Sequence, residues 1–232
     1  EKVLRKAADR GIGTRMREVF QSQLTEVQTR LVEMAEDTVR IIEKATKAFG
    51  YSDVALADEA IAISDATSNK ALALDELVIK VLARQSPVAR DLRIVVSALR
   101  ISASLERMGD MAEHIAQLAR YRFPEKVIAK GLRGTFRKMG ELDVEIAEVL
   151  VKLLKTQELA YAEQIRDLDD KIDELHLSVF DKVLGETWAG TPVDTVDATL
   201  ASRYHERFAD HAVSIAKKVK YLSTGEWVPS ED

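Results

Sequence analysis

From Met16 onward apolar residues return every three or four positions, the spacing that places them on one face of an α-helix. Val19, Leu24, Val27, Leu31, Met34, Ile41 and Ile42 trace a long first helix that Gly50 should end. Ser52 stands where it can cap a second helix running through Ala57, Ile61 and Leu74 to Leu82. The stretch QSPVARDLR then reads as a turn, with Ser86 as N-cap and Pro87 at the first position of a third helix that reaches Tyr121. Pro124, in YRFPEK, breaks that pattern. Three further helices are predicted over about 131–155, 159–184 and 194–222, with the Gly/Pro/Thr-rich loop GETWAGTPVD between the last two.

The third and sixth stripes are related. One reads Ile101, Leu105, Met108, Ala112, Ile115 and Ala119. The other reads Val196, Leu200, Tyr204, Phe208, Ala212, Ile215, Val219 and Leu222. From residue 108 onward they coincide at an offset of one hundred residues, and LERMGDMAEHIA (105–116) matches HERFADHAVSIA (205–216) at the same offset. Such self-similarity marks an internal duplication. Short connections make neighbouring helices antiparallel. The predicted fold is therefore all-α, two tandem pseudo-symmetric three-helix bundles over residues 16–123 and 131–225.

Composition agrees and narrows the function classes. Ten Gly and four Pro in 232 residues, 46% of them hydrophobic, suit long helices around a substantial core. The net charge is −5 with both signs interspersed, so nothing points to nucleic acid. No run approaches the roughly 18 apolar residues of a membrane span, so no direct membrane insertion is expected. With no Cys, thiolate metal sites and Cys nucleophiles are excluded, and a cytoplasmic location fits. The stretch EKVLRKAADRGIGTR has no apolar signal core and reads as an upstream extension, residues 1–15, outside the fold.

The chemistry lies in carboxylates. Residues four apart share a helix face, so Glu106 pairs with Asp110 and Glu206 with Asp210, each pair flanking an apolar stripe. Acids are 39 of 232 residues, so chance gives on the order of six such spacings, and a single one means little. Duplication in register means more. The second helix of each unit carries Asp65-x-x-x-Asn69 or Asp169-x-x-x-Asp173. Positions 65, 69, 106 and 110 average to a point beside Pro87, and 169, 173, 206 and 210 to the middle of the 185–194 loop. In antiparallel hairpins those groups therefore face one another at one height. Clustered carboxylates repel, and a cation relieves the repulsion. Oxygen ligands suit hard or borderline ions: Mg, Mn, Ca, Fe or Zn, divalent or trivalent. The competing reading is a salt-bridge network, because Arg107 and Arg207 lie inside the motifs.

Other candidates carry less. His114 follows Asp110 by one turn and could join a site, but its counterpart is Ser214. His176, His205 and His211 read as surface or hydrogen-bonded histidines. No Glu-x-x-His pair of the di-iron kind, no phosphate-cradling Gly loop and no Gly-x-Ser-x-Gly turn occurs. Trp188 and Trp227 fall in loop and tail, where packing explains them.

The duplicated unit, RQSPVARDLR before the third helix, LERMGD and HERFAD together resemble the PhoU family of phosphate-uptake regulators, from Met16 to Trp227. The resemblance implies a cytoplasmic bacterial protein without catalytic activity that forms a homodimer. It implies action between the Pst transporter ATPase and a phosphate-sensing histidine kinase, with repression of the phosphate regulon when phosphate is plentiful. It also implies metal clusters on the acidic pairs. Carried over, the ligands are Glu106, Asp110, Glu206 and Asp210, with Asp169 and Asp173 opposite the second pair and Asp65 opposite the first. Asn69 stands where another carboxylate would. Asp91 and Arg93 match the PVARDLR motif, for capping or partner contact, whereas TPVDTVD with Asp194 has lost the motif's Arg. Two other classes stay open: a metal-dependent hydrolase or oxidase built on the acid clusters, and a helical scaffold whose acids only make salt bridges.

Overall fold

The computed structural model describes residues 2–225, with side chains from Arg15 onward; Trp227 lies outside the described residues. Six helices follow in order: α1 (Lys2–Tyr51), α2 (Val54–Gln85), α3 (Ala89–Arg122), α4 (Arg133–Thr156), α5 (Leu159–Val183) and α6 (Pro192–Thr224). A single 3₁₀ turn, Lys130–Leu132, leads into α4, and the described residues contain no strand. Helix α1 does not wait for Met16: its backbone runs back to Lys2, so residues 2–15 continue the element and do not stand outside it.

Two predicted caps are corrected. Asp53, not Ser52, caps α2, its side chain accepting from the Leu56 N–H. Ser52 instead adopts a left-handed backbone, and its hydroxyl donates to the Glu125 carbonyl, tying the α1–α2 turn to the segment after α3. Ser86 likewise sits in the left-handed region as the C-cap of α2. Closing one helix this way leaves it unable to open the next. The chain stays extended through Val88, whose carbonyl accepts from Asp91, so α3 starts at Ala89 and Pro87 precedes it. Helix α6 begins at Pro192 with a capping box in which Thr191 and Asp194 bond each other's backbone N–H. Asp194 is thus a capping group.

Within each unit α2 lies against α1 and α3, and α5 against α4 and α6. The units join through their first and third helices. His114 and Tyr204 meet in a tilted ring contact with centroids 5.0 Å apart, and Arg122 forks onto Asp197. Rising numbers on α3 therefore meet falling numbers on α6. Phe49 against Phe136 and Lys155 on Glu36 set the same antiparallel register for α1 and α4. The result is one continuous core with a local two-fold arrangement. The repeated stripes supply much of it: Met108 and Phe208, Ala112 and Ala212, Ile115 and Ile215 are all fully buried. Each large side chain so buried contributes about 1.5–3 kcal/mol.

Candidate functional site

The second unit shows the clearer acidic patch. Asp169 and Asp173 project from α5, Glu206 and Asp210 from α6. A hydrogen bond of 2.6 Å between His176 Nδ1 and Ser202 Oγ pins the two helices near the height expected from the turn. Burial pushes the Asp169 carboxyl up to about 7, and the neighbouring charges of Asp173, Asp210, Asp170 and Glu206 push the same way. Asp173 is raised by burial and then by Asp210 and Asp170. Glu206 is raised by burial and by Asp210 and Asp173, partly countered by Arg203 and Arg207. Four acids from two helices thus share one electrostatic field, and Asp169 Oδ1 is buried without a hydrogen-bond partner.

The arginine accounting differs from the sequence expectation. Arg203, one turn earlier, donates to Glu206 at 2.6 Å, whereas Arg207 acts on Glu206 only through space. Asp170 joins the field although its position in the motif gave no sign of it; a run of three acids in DLDD is the only hint.

In the first unit α2 and α3 meet where Ser64 faces Gly109. A Cβ built on Gly109 would lie 3.4 Å from Ser64 Oγ, so only a small residue allows this approach. Asp65 and Asp110 each lie one residue from that contact, on opposite sides of it because the helices run antiparallel. Asp65 and Asn69 are exposed, while Glu106 and Asp110 are half-buried. Arg107 donates to Asp110 at 2.9 Å, so part of this patch is an ion pair. Asp91 and Arg93 lie elsewhere, in the first turns of α3 at the α2–α3 tip, about 22 Å along the helix from Glu106. His114, tilted against Tyr204, serves the junction between the units. Trp188 donates from Nε1 to Thr195 and packs over Gly190.

Among the described residues no three His, Cys, Asp or Glu side chains are gathered tightly enough to grip a metal ion as they stand. The donor chemistry of the second patch nevertheless suits a hard cation: oxygen ligands, mutual repulsion, and one orphaned buried carboxylate oxygen. Asp169, Asp173, Glu206 and Asp210 would hold it after side-chain rotation. The first patch offers Asp65, Glu106 and Asp110, with the Asn69 amide as a neutral fourth donor.

Comparison with known proteins places this geometry in a family. The PhoU domain is matched twice, over residues 31–119 and 136–219. The phosphate-specific transport system accessory protein PhoU homolog 1 of Mycobacterium leprae is 36% identical over 217 residues, covering 94% of this chain and 97% of that protein. PhoU homolog 2 of Mycobacterium tuberculosis is 36% identical over 210 residues, covering 90% and 99%. The crystal structure of the phosphate transport system regulatory protein PhoU from Streptococcus pneumoniae superposes with a TM-score of 0.81 at 24% identity, over 90% of this chain and 99% of that one. PhoU from Pseudomonas aeruginosa gives 0.77 at 24% identity, over 89% and 100%. With its domain matched in both halves and relatives at this identity aligned along nearly the whole chain, the protein belongs to the PhoU family.

Proposed function

We propose that this protein is a regulatory accessory of a phosphate-specific transport system, acting as a non-enzymatic adaptor that restrains phosphate uptake and the phosphate regulon. The observation that carries the reading is the end-to-end match to mycobacterial proteins named for that role. Its contacts in this reading are the Pst transporter ATPase and a phosphate-sensing histidine kinase, met from the cytoplasm, with the protein as a homodimer. No described helix is long and apolar enough to cross a membrane, so recruitment would run through protein surfaces. The exposed apolar residues suited to such contact are Val88, Leu92 and Val96 at one hairpin tip and Val193, Val196 and Leu200 at the other. The acidic patches would hold divalent or trivalent ions, Mg, Mn, Fe or Zn, to stiffen those hairpins.

Deletion of the gene should leave phosphate-starvation genes active in ample phosphate, and the wild-type chain should restore repression. The protein should sediment with membranes that contain the transporter or the kinase and stay behind with protein-free anionic vesicles. Regulation that survives the deletion would sink the adaptor reading. Elemental analysis of the purified protein tests the metal, and light scattering tests for twice the 25.9 kDa chain mass.

A further inference from the structure

A cavity of about 630 Å³ opens between the end of α1 and the start of α4, and no carboxylate of either acidic patch lines it. Its volume falls within the usual range for small-molecule sites. The inner wall is buried and mostly apolar: Phe49, Ile128 and Phe136, with Phe49 and Phe136 edge to face at 5.4 Å. Farther in, α1 and α4 nearly touch, since a Cβ on Gly140 would meet Thr46 Cγ2 at 3.0 Å. That contact closes one end.

His205, 1% exposed, borders the same wall and is held by Asp143, its Nδ1 meeting Asp143 Oδ2 at 2.6 Å. The mouth has the opposite character. Lys47, Arg133 and Arg137 are exposed there, and among the described residues no hydrogen bond or ion pair engages them. Of the two acids at the mouth, Glu141 is approached by Lys138, and Glu43 is the other. Helix α4 starts at Arg133, so the positive end of its dipole adds to the same rim. In a chain of net charge −5 this is a local excess of positive charge.

We propose that the cavity binds a small amphipathic organic anion. Its ring lies against Phe49, Phe136 and Ile128, and its acidic group meets Arg133 and Arg137. An inorganic anion would satisfy the rim and leave the apolar wall wet. A hydrocarbon would fill the wall and leave the arginines unanswered. The site depends neither on the acidic patches nor on the phosphate-transport reading.

The full chain can be titrated by fluorescence with anilinonaphthalenesulfonate and with its uncharged parent, N-phenylnaphthylamine. One saturable site per chain is expected for each. Arg133→Gln with Arg137→Gln should weaken the sulfonate about tenfold, the scale of charge-assisted hydrogen bonds at a half-open site, and leave the neutral dye within about twofold. The blocking variant is Gly134→Trp, at an exposed lining position where a Cβ meets nothing within 4 Å. It should abolish binding of both dyes with the thermal midpoint and far-ultraviolet spectrum retained. Unchanged binding in Gly134→Trp, or equal losses for both dyes in the arginine variant, overturns the proposal. Competition then tests the ligand class: 4-hydroxybenzoate or phenyl phosphate should displace the sulfonate. Displacement by inorganic phosphate alone, or by none of the three, also overturns it.

Discussion

Asp169→Asn separates the electrostatic cost of the second patch from its ligand role. The Asp169 carboxyl lies raised from 3.8 to about 7, with burial first and four neighbouring acids after it. A raised acid gives its full contribution to stability below the unfolded value and loses it as pH climbs through the folded one. The wild-type chain, free of metal, should therefore weaken between about pH 4 and 7 relative to a variant that cannot ionise there. Taken whole, the rise corresponds to about 4 kcal/mol at 1.36 kcal/mol per pH unit. Asp169 is only half-buried, and solvent screening reduces this to about 1–2 kcal/mol. For a chain of this size that is a midpoint about 3–6 °C higher for the variant at pH 8 in chelator. At pH 5 little more than about a third of the gap should remain. Thermal melts at both pH values, with chelator and then with excess Mn²⁺, provide the assay. Mn²⁺ should raise the wild-type midpoint at pH 8 and raise the variant's far less. A variant less stable than wild type in chelator at pH 8, or a gap independent of pH, would refute the reasoning.

Three further outcomes are expected. In cation titrations Asp210→Asn should lose more affinity than Asp110→Asn, because the second patch offers four carboxylates and the first three, one already held by Arg107; equal losses would show that charge count does not set affinity. Arg122→Met should cost about 3–5 kcal/mol in urea unfolding by leaving Asp197, 3% exposed, without its fork, and adding Asp197→Leu should recover most of that. Phe208→Ala should cost about 3–5 kcal/mol in the same assay, since its side chain is fully buried where the repeated stripe crosses the core.

The helices were legible because each long element writes its buried face as an apolar stripe, and the duplication confirmed the third and sixth against each other. The caps were not. Ser52 and Ser86 have the right side chains for N-caps, but each sits in a left-handed turn that a preceding helix imposes, and sequence spacing does not report that backbone. Facing heights across a hairpin could be computed because antiparallel geometry ties level to distance from the turn; the Ser64–Gly109 and His176–Ser202 contacts lie at those heights. Pairings between units, or between the first and third helices of one unit, could not. Arg122 with Asp197 and His205 with Asp143 join residues 75 and 62 apart whose partners no local pattern names. The cavity at His205 was invisible for the same reason, since its walls come from α1, α4 and α6.

The two halves also differ in where they leave conflict. A folded sequence tends to settle its local interactions consistently, and what stays unsettled marks places kept for something else. In the first unit Arg107 answers Asp110 and an amide replaces the fourth acid, so fewer carboxylates there are left for one another. In the second Arg203 answers only Glu206. Asp169, Asp173 and Asp210 stay in one another's field, and one oxygen of Asp169 is buried with nothing to bond. Nothing in the packing requires this, because the same helix–helix contact in the first unit is made beside Asn69 at lower charge. A cation has most to offer where the chain has supplied least, and that argument favours the α5–α6 hairpin as the first to load.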